Sequence, residues 1–124
     1  MSFERTGRIA EEIKRVVTEL LTERKIKDIR ITDTPSLISV TSVEVVRDLK
    51  YAYIYISVLG KDTDKIMEGF SSAAGFIRKE VGKKVNLRYT PELIFKVDDS
   101  IERGIYMSKL IDGLHMDEEE AEDE

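Results

Sequence analysis

The stretch LISVTSVEVVRDLKYAYIYISVL, residues 37–59, contains the clearest strand pattern in the chain. β-Branched residues dominate its first ten positions, although the alternation of apolar and polar residues slips between Val40 and Val43, where a β-bulge is expected. After a short connection at 47–50 the alternation is strict, with aliphatic side chains on one face and tyrosines on the other. The stretch therefore predicts an antiparallel hairpin whose second strand has one face in the core.

Helical patterns flank this hairpin on both sides. Apolar residues at steps of three and four predict a first helix over about residues 6–24 and a second over about 66–81. Gly75 interrupts the second pattern, and because glycine costs roughly 1 kcal/mol inside a helix, its presence predicts a kink. A third strand is predicted at 93–97, after Pro91.

The order helix, strand, strand, kinked helix, strand predicts an α+β fold with a three-stranded mixed sheet and helices on one face. The first two strands form an antiparallel pair, whereas the helical connection to the third permits a parallel pair. This order is that of a type II KH-like domain. A chain of 124 residues suits one such domain, which we assign to residues 1–112,. The acidic run that ends the chain predicts a disordered tail over 113–124.

Composition excludes several classes of function. Because the chain has no cysteine, it has no disulfide, thiolate zinc site or thiol nucleophile,. No apolar run reaches the roughly 18 residues of a membrane-spanning helix, and the charged start MSFERTGR lacks the apolar core of an export signal. We therefore expect a cytoplasmic monomer that needs no cofactor or metal and does not bind a membrane.

The net charge of −5 hides a mildly basic domain. Seven of the 25 acidic side chains lie in the last eight residues, so residues 1–116 carry 18 acidic against 20 basic side chains, a net charge of +2. The acidic tail could aid solubility, screen a basic surface of the same chain or bind a basic partner. The sequence leaves these three roles open.

Positive charge is concentrated directly after Gly75. A kink there would expose the amides of the following helical turn, and these donors together with the helix dipole favour a phosphate. An anion-binding turn beside a basic cluster is typical of a surface that contacts a nucleic-acid backbone. The predicted contacts are Ala73, Gly75, Arg78, Lys79, Lys83, Lys84 and Arg88, with a second basic group at Arg5, Arg8, Lys14 and Arg15.

A structural explanation of the same residues stays open. Gly75 would then let the helix pack closely on the sheet, and the basic side chains, which spread over a wide arc of the helix, would be a solvated face. The sequence also does not decide whether the two basic groups form one surface.

Four blocks resemble the bacterial ribosome-binding factor A family of small-subunit assembly factors. They are RIAEEIKRVVTELL at 8–21, VTSVEVVRDLKYAYIYISVLG at 40–60, AAGFIRKEVGKKVNLRYTPELIF at 73–95 and DDSIERGIYMSKLID at 98–112. Members of this family resemble type II KH domains in which an Ala-x-Gly kink replaces the usual GxxG loop, as Ala73 and Gly75 do here.

The resemblance implies a function without catalysis. It implies binding to free or immature 30S subunits, contact with 16S rRNA near its 5′ region and the neck, and a part in late subunit maturation and 16S rRNA processing that matters in the cold. Release with the help of a ribosome-associated GTPase is implied for some bacteria. The alternative is a protein-interaction module that uses the exposed sheet face or the acidic tail.

Two other groups of polar residues are interpreted as non-catalytic. His115 could bind a metal with Asp112 and Asp117, but a solvated histidine is favoured. The segment DDSIERG at 98–104 has paired carboxylates without an adjacent nucleophile or phosphate loop, so a strand end that caps a short helix is favoured over acid–base chemistry.

The tyrosines at 51, 53 and 55 share a strand face and are the aromatic candidates for stacking on bases. Cross-strand packing on a half-covered sheet is the favoured interpretation.

Overall fold

The computed structural model describes residues 3–100 and 108–111. Within residues 3–100 it contains three helices and three strands. Their bounds are α1 Phe3–Thr22, α2 Ile29–Thr32, β1 Leu37–Val45, β2 Tyr51–Leu59, α3 Thr63–Lys84 and β3 Glu92–Val97. Residues 108–111 are also helical. The predicted acidic tail, His115 and residues 101–104 of the carboxylate-rich segment lie outside the described residues.

The three strands form one mixed sheet in the order β1-β2-β3. β1 and β2 are antiparallel, and their register shifts between Val40 and Ser42, where the β-bulge was predicted. β2 and β3 are parallel, with Tyr51 opposite Glu92. The predicted α+β class and mixed three-stranded sheet are confirmed.

The core lies where α1 and α3 pack on one face of the sheet. β2 supplies its centre, because the aliphatic half of its alternating pattern is buried, whereas Tyr53 and Tyr55 are half-buried and Tyr51 is exposed. Phe70 of α3 is fully buried and stacks on Phe95 of β3, with 5.2 Å between ring centroids. The fully buried members of the cluster include Ile13, Val17, Leu20, Ala52, Ile54, Ile56, Ile66, Phe70, Ile77 and Val81.

The first helix ends in a tight backbone turn at Arg24. The Arg24 amide donates to the Leu21 carbonyl (3.1 Å) and the Lys25 amide donates to the Leu20 carbonyl (2.9 Å), which is the Schellman pattern,. Arg24 has a φ of 57°, the left-handed conformation that glycine usually supplies at this position,. The turn directs the chain into α2, a single helical turn.

α3 continues through Gly75 as one helix. The prediction that a kink at Gly75 exposes the amides of a following helix is therefore wrong, since no new helix begins there. Close packing does not explain Gly75 either, because a β-carbon built on it would meet nothing within 4 Å among the described residues. The tight position is Gly69, where a β-carbon would lie 3.1 Å from both Asp28 Oδ1 and Ile31 Cγ1.

Candidate nucleic-acid interface

The C-terminal half of α3 presents a basic face to solvent. Gly75, Arg78, Lys79 and Gly82 follow the i, i+3, i+4, i+7 spacing that places residues on one side of a helix, and all four are exposed,. Because glycine has no side chain, the helix backbone is uncovered at Gly75, whereas at Gly82 a β-carbon would lie 2.8 Å from Thr90 Oγ1,. An approaching molecule can therefore come close to the backbone at Gly75, beside the cationic side chains of Arg78 and Lys79.

The other predicted residues of α3 differ in their surroundings. Lys83 is exposed, and its Nζ lies 3.4 Å from Glu80 Oε1. Lys84 is exposed at the last residue of the helix. Ala73 is only half-exposed and packs against the core, so it acts chiefly in packing.

Arg5 and the basic cluster after Gly75 meet in a cleft of about 630 Å³, here called the arginine cleft. The cationic side chains that line it, among the described residues, are Arg5, Lys50, Arg78 and Arg88. They are opposed by two carboxylates, Asp48 and Glu92, so the lining is net positive. The structure thus joins part of the N-terminal basic group to the cluster at 78–88.

The rest of the N-terminal group lies along α1. Arg8 and Arg15 are exposed, Lys14 is half-exposed, and none of the three is among the residues that line the arginine cleft. Arg8 follows Arg5 by one helical turn and Arg15 follows Arg8 by two, so the three arginines lie on one side of α1. Glu11 and Glu12 lie between Arg8 and Arg15 on that side, so the positive charge next to the cleft extends only as far as Arg8.

The parallel pairing of β2 and β3 explains how the arginine cleft forms. Parallel strands begin at the same edge of a sheet, so the turn at 47–50 and the loop at 85–91 are neighbours. The Glu92 amide donates to the Lys50 carbonyl at 2.9 Å, which fixes this contact. Neither Lys50 nor Tyr89 was among the predicted contacts, although the permitted parallel pair was the signal that could have placed them together.

The loop at 85–91 is held firmly while it exposes its polar side. Val85 and Pro91 are buried, and Arg78 Nη2 donates to the Thr90 carbonyl at 2.8 Å. Between these anchors, Tyr89 is 73% exposed, and the Arg88 guanidinium carbon lies 5.5 Å from its ring centroid. This distance is within the range of a cation–π contact.

A second groove, of about 780 Å³, lies between α3 and the segment that follows α1. Phe76 lines it and is 41% exposed. Its charges are balanced, because Arg24, Lys25 and Lys27 meet Glu23, Asp28 and Glu80. Lys25 Nζ lies 3.0 Å from Glu23 Oε2, and the hydrogen bond and charge of Lys25 lower the pKa of Glu23. An anion is therefore favoured in the arginine cleft over this groove.

Asp28 and Arg30 form an ion pair at the start of α2, and Arg30 also links α2 to α3. Arg30 Nε donates to Asp28 Oδ1 (3.0 Å) and Nη2 donates to Oδ2 (2.9 Å), while the Arg30 amide donates to Oδ1 as a helix cap. Arg30 Nη2 also donates to Ser72 Oγ at 2.9 Å. The hydrogen bonds from Arg30 hold the pKa of Asp28 below its usual value. The Arg30 guanidinium therefore stabilises α2 and its packing on α3.

The tyrosines of β2 have different environments. Tyr51 is exposed and lines the arginine cleft, whereas the Tyr53 ring centroid lies 4.6 Å from Lys96 Nζ.

Within the described part of the chain, no cluster of three histidine, aspartate or glutamate side chains is arranged to hold a metal ion. The helices described there are also too short or too polar to cross a membrane.

Comparison with known proteins gives one family. The family model for ribosome-binding factor A matches residues 5–111. Ribosome-binding factor A of Clostridioides difficile is 56% identical over 110 residues, which are 89% of this chain and 84% of that protein. The match to the family model spans α1 from residue 5, the sheet and the residues that line the arginine cleft.

Solved structures agree with the fold. The crystal structure of ribosome-binding factor A from Thermus thermophilus has a TM-score of 0.63 and 18% identity, covering 74% of this chain and 94% of that one. A homology model of the Thermus protein, fitted into a cryo-EM map of its complex with the 30S subunit, has a TM-score of 0.61 at 18% identity, with 76% and 96% coverage. At this identity the likeness concerns the fold alone.

Proposed function

Because the chain belongs to the ribosome-binding factor A family, we propose that it binds free or immature 30S ribosomal subunits through 16S rRNA and assists their late maturation. The name of the relatives supports ribosome binding. The observation that carries the proposal for this chain is the arginine cleft, where cations from α1, α3 and two loops converge beside an exposed tyrosine.

The binding surface consists of the basic face of α3, the arginine cleft and the adjoining side of α1. Arg78, Lys79 and Arg88 contact phosphates, and Gly75 lets the RNA backbone approach α3. Lys83 and Lys84 extend the contact toward the end of the helix, while Ala73 packs beneath it. Arg5 joins the same surface in the cleft, and Arg8, Lys14 and Arg15 are additional contacts along α1.

Affinity on such a surface is mainly electrostatic. Each phosphate that a lysine or arginine neutralises releases counterions, so the logarithm of the binding constant falls linearly with the logarithm of salt concentration. Five such contacts predict a steep slope, roughly −3.5 to −4.5. The protein acts by occupying the subunit, without catalysis. Support of 16S rRNA processing, growth in the cold and release by a ribosome-associated GTPase in the cytoplasm are further parts of this proposal.

Co-sedimentation with purified 30S subunits, 50S subunits and 70S ribosomes over a salt series tests the proposal. The wild-type protein is expected to bind 30S subunits alone and to dissociate as salt rises. A variant with glutamine at positions 78, 79, 83, 84 and 88 is expected to lose binding. The matched control is Lys61→Gln with Lys65→Gln, which removes exposed charge near the start of α3 and is expected to bind normally.

Two results would count against the proposal. Equal binding by the five-residue variant would remove the α3 surface from the interface. Binding to an unidentified partner that survives ribonuclease and high salt would favour the alternative of a protein-interaction module.

A further inference from the structure

We propose that Tyr89 is a stacking platform for one unpaired RNA base, and that the arginine cleft holds the phosphates beside that base. The inference rests on the proposed function, since it specifies what part of an RNA the surface recognises. It adds a requirement for a single-stranded nucleotide that phosphate contacts alone do not impose.

The exposure of Tyr89 is the first argument. At 73% exposed, it is the most exposed large apolar or aromatic side chain in the described part of the chain. The loop that carries Tyr89 is anchored on both sides of this residue, because Val85 and Pro91 are buried and Arg78 donates to the neighbouring Thr90 carbonyl. A ring held outward on an anchored loop keeps a face available to a partner at little further cost in conformational entropy.

Charge is the second argument. The Arg88 guanidinium lies 5.5 Å from the Tyr89 ring centroid, and Arg5, Lys50 and Arg78 line the same cleft. Asp48 Oδ1 accepts the Lys50 amide at 3.0 Å, so one of the two opposing carboxylates is partly used within its own turn. A nucleotide supplies both features that the site fits, a flat aromatic face and an adjacent negative charge.

The shape of the site favours an unpaired base over a duplex. A cleft of about 630 Å³ is within the size range of sites for small ligands,. In an A-form helix each base face is covered by its neighbours, so a ring can stack only where the RNA is single-stranded, bulged or looped. An acidic peptide would satisfy the arginines but would leave the Tyr89 ring face without a matching partner.

The test uses the full chain and two RNA probes. One is an oligouridylate of about ten nucleotides with a single central 2-aminopurine, whose fluorescence falls when it stacks on an aromatic ring; the other is a fully paired RNA duplex. Wild-type protein and Tyr89→Phe are expected to quench the 2-aminopurine. Tyr89→Leu is expected to lose the quenching and to bind the oligouridylate about 5- to 160-fold more weakly, the range for loss of one stacked base.

The controls separate stacking from charge and from folding. The Tyr89→Leu variant is expected to bind the duplex with unchanged affinity and salt dependence, because its cations are intact. Phe76→Leu, which changes an exposed aromatic in the charge-balanced groove, is expected to behave as wild type.

Loss of quenching in both Tyr89→Phe and Tyr89→Leu, or in neither, would overturn the inference. Failure of the proposed function would look different. Wild-type protein would then quench the oligouridylate through Tyr89 and still fail to sediment with 30S subunits.

Discussion

Replacing Gly75 with alanine is expected to stabilise the protein by about 1 kcal/mol. Alanine is more favourable than glycine by roughly 0.8–1.0 kcal/mol in a helix interior, and Gly75 lies well inside α3,. The new methyl group would meet nothing within 4 Å among the described residues, so no packing term opposes this gain. For a domain of this size the midpoint of thermal unfolding should rise by roughly 3–6 °C.

Gly69→Ala is the matched control in the same helix. Its β-carbon would lie 3.1 Å from Asp28 Oδ1 and Ile31 Cγ1, so the helical gain is opposed by overpacking that typically costs about 1–3 kcal/mol,. Urea and thermal unfolding followed by circular dichroism would measure both variants. A Gly75→Ala protein that is less stable than wild type would show that Gly75 does not occupy an ordinary helical position with room for a methyl group.

Three further predictions concern single contacts. Lys79→Gln should weaken 30S binding and make the logarithmic salt slope less steep by about one, measured by sedimentation over a salt series, whereas Lys65→Gln should leave the slope unchanged. Phe70→Ala should lower the free energy of unfolding by about 3–5 kcal/mol in urea titrations, because its ring is fully buried,; a loss below 1 kcal/mol would contradict this packing. Asp28→Asn should destabilise the protein near neutral pH, and the difference from wild type should vanish in acid,.

The sign of that pH dependence follows from the Arg30 hydrogen bonds. They lower the folded-state pKa of Asp28 below its ordinary value of 3.8, so their contribution to stability is present above that pH. It is lost as the pH falls further and passes the folded-state pKa. A wild-type and variant difference that persisted well below this range would show that the carboxylate charge is not what Arg30 stabilises.

Most of the sheet could be predicted from the sequence because its signals are local. The strict alternation from Tyr51 to Leu59 identifies β2, and the slip after Val40 identifies the bulge. Helix ends were harder. α1 ends at Thr22, and the left-handed residue that follows it is Arg24. Glycine usually occupies this position, so the sequence lacks the usual signal for the end of a helix.

Gly75 shows why a local propensity does not fix the backbone. Glycine weakens a helix by only about 1 kcal/mol, and the burial of Phe70, Ile77 and Val81 on either side of it outweighs that cost,. The basic cluster was visible in the sequence as a run of charges. The sequence did not show that this cluster lies beside Arg5 and Lys50, because that proximity depends on how α1 packs and on the parallel pairing of β2 with β3.

Ultraviolet crosslinking of the full chain to 16S rRNA within purified 30S complexes would identify which surface of the protein contacts the RNA. The crosslinked peptides, identified by mass spectrometry after ribonuclease digestion, are expected to come from residues 78–89 and from the segment that contains Arg5. Crosslinks confined to the free face of the sheet, with residues 78–89 unmodified, would show that the basic face of α3 and the arginine cleft do not bind the RNA.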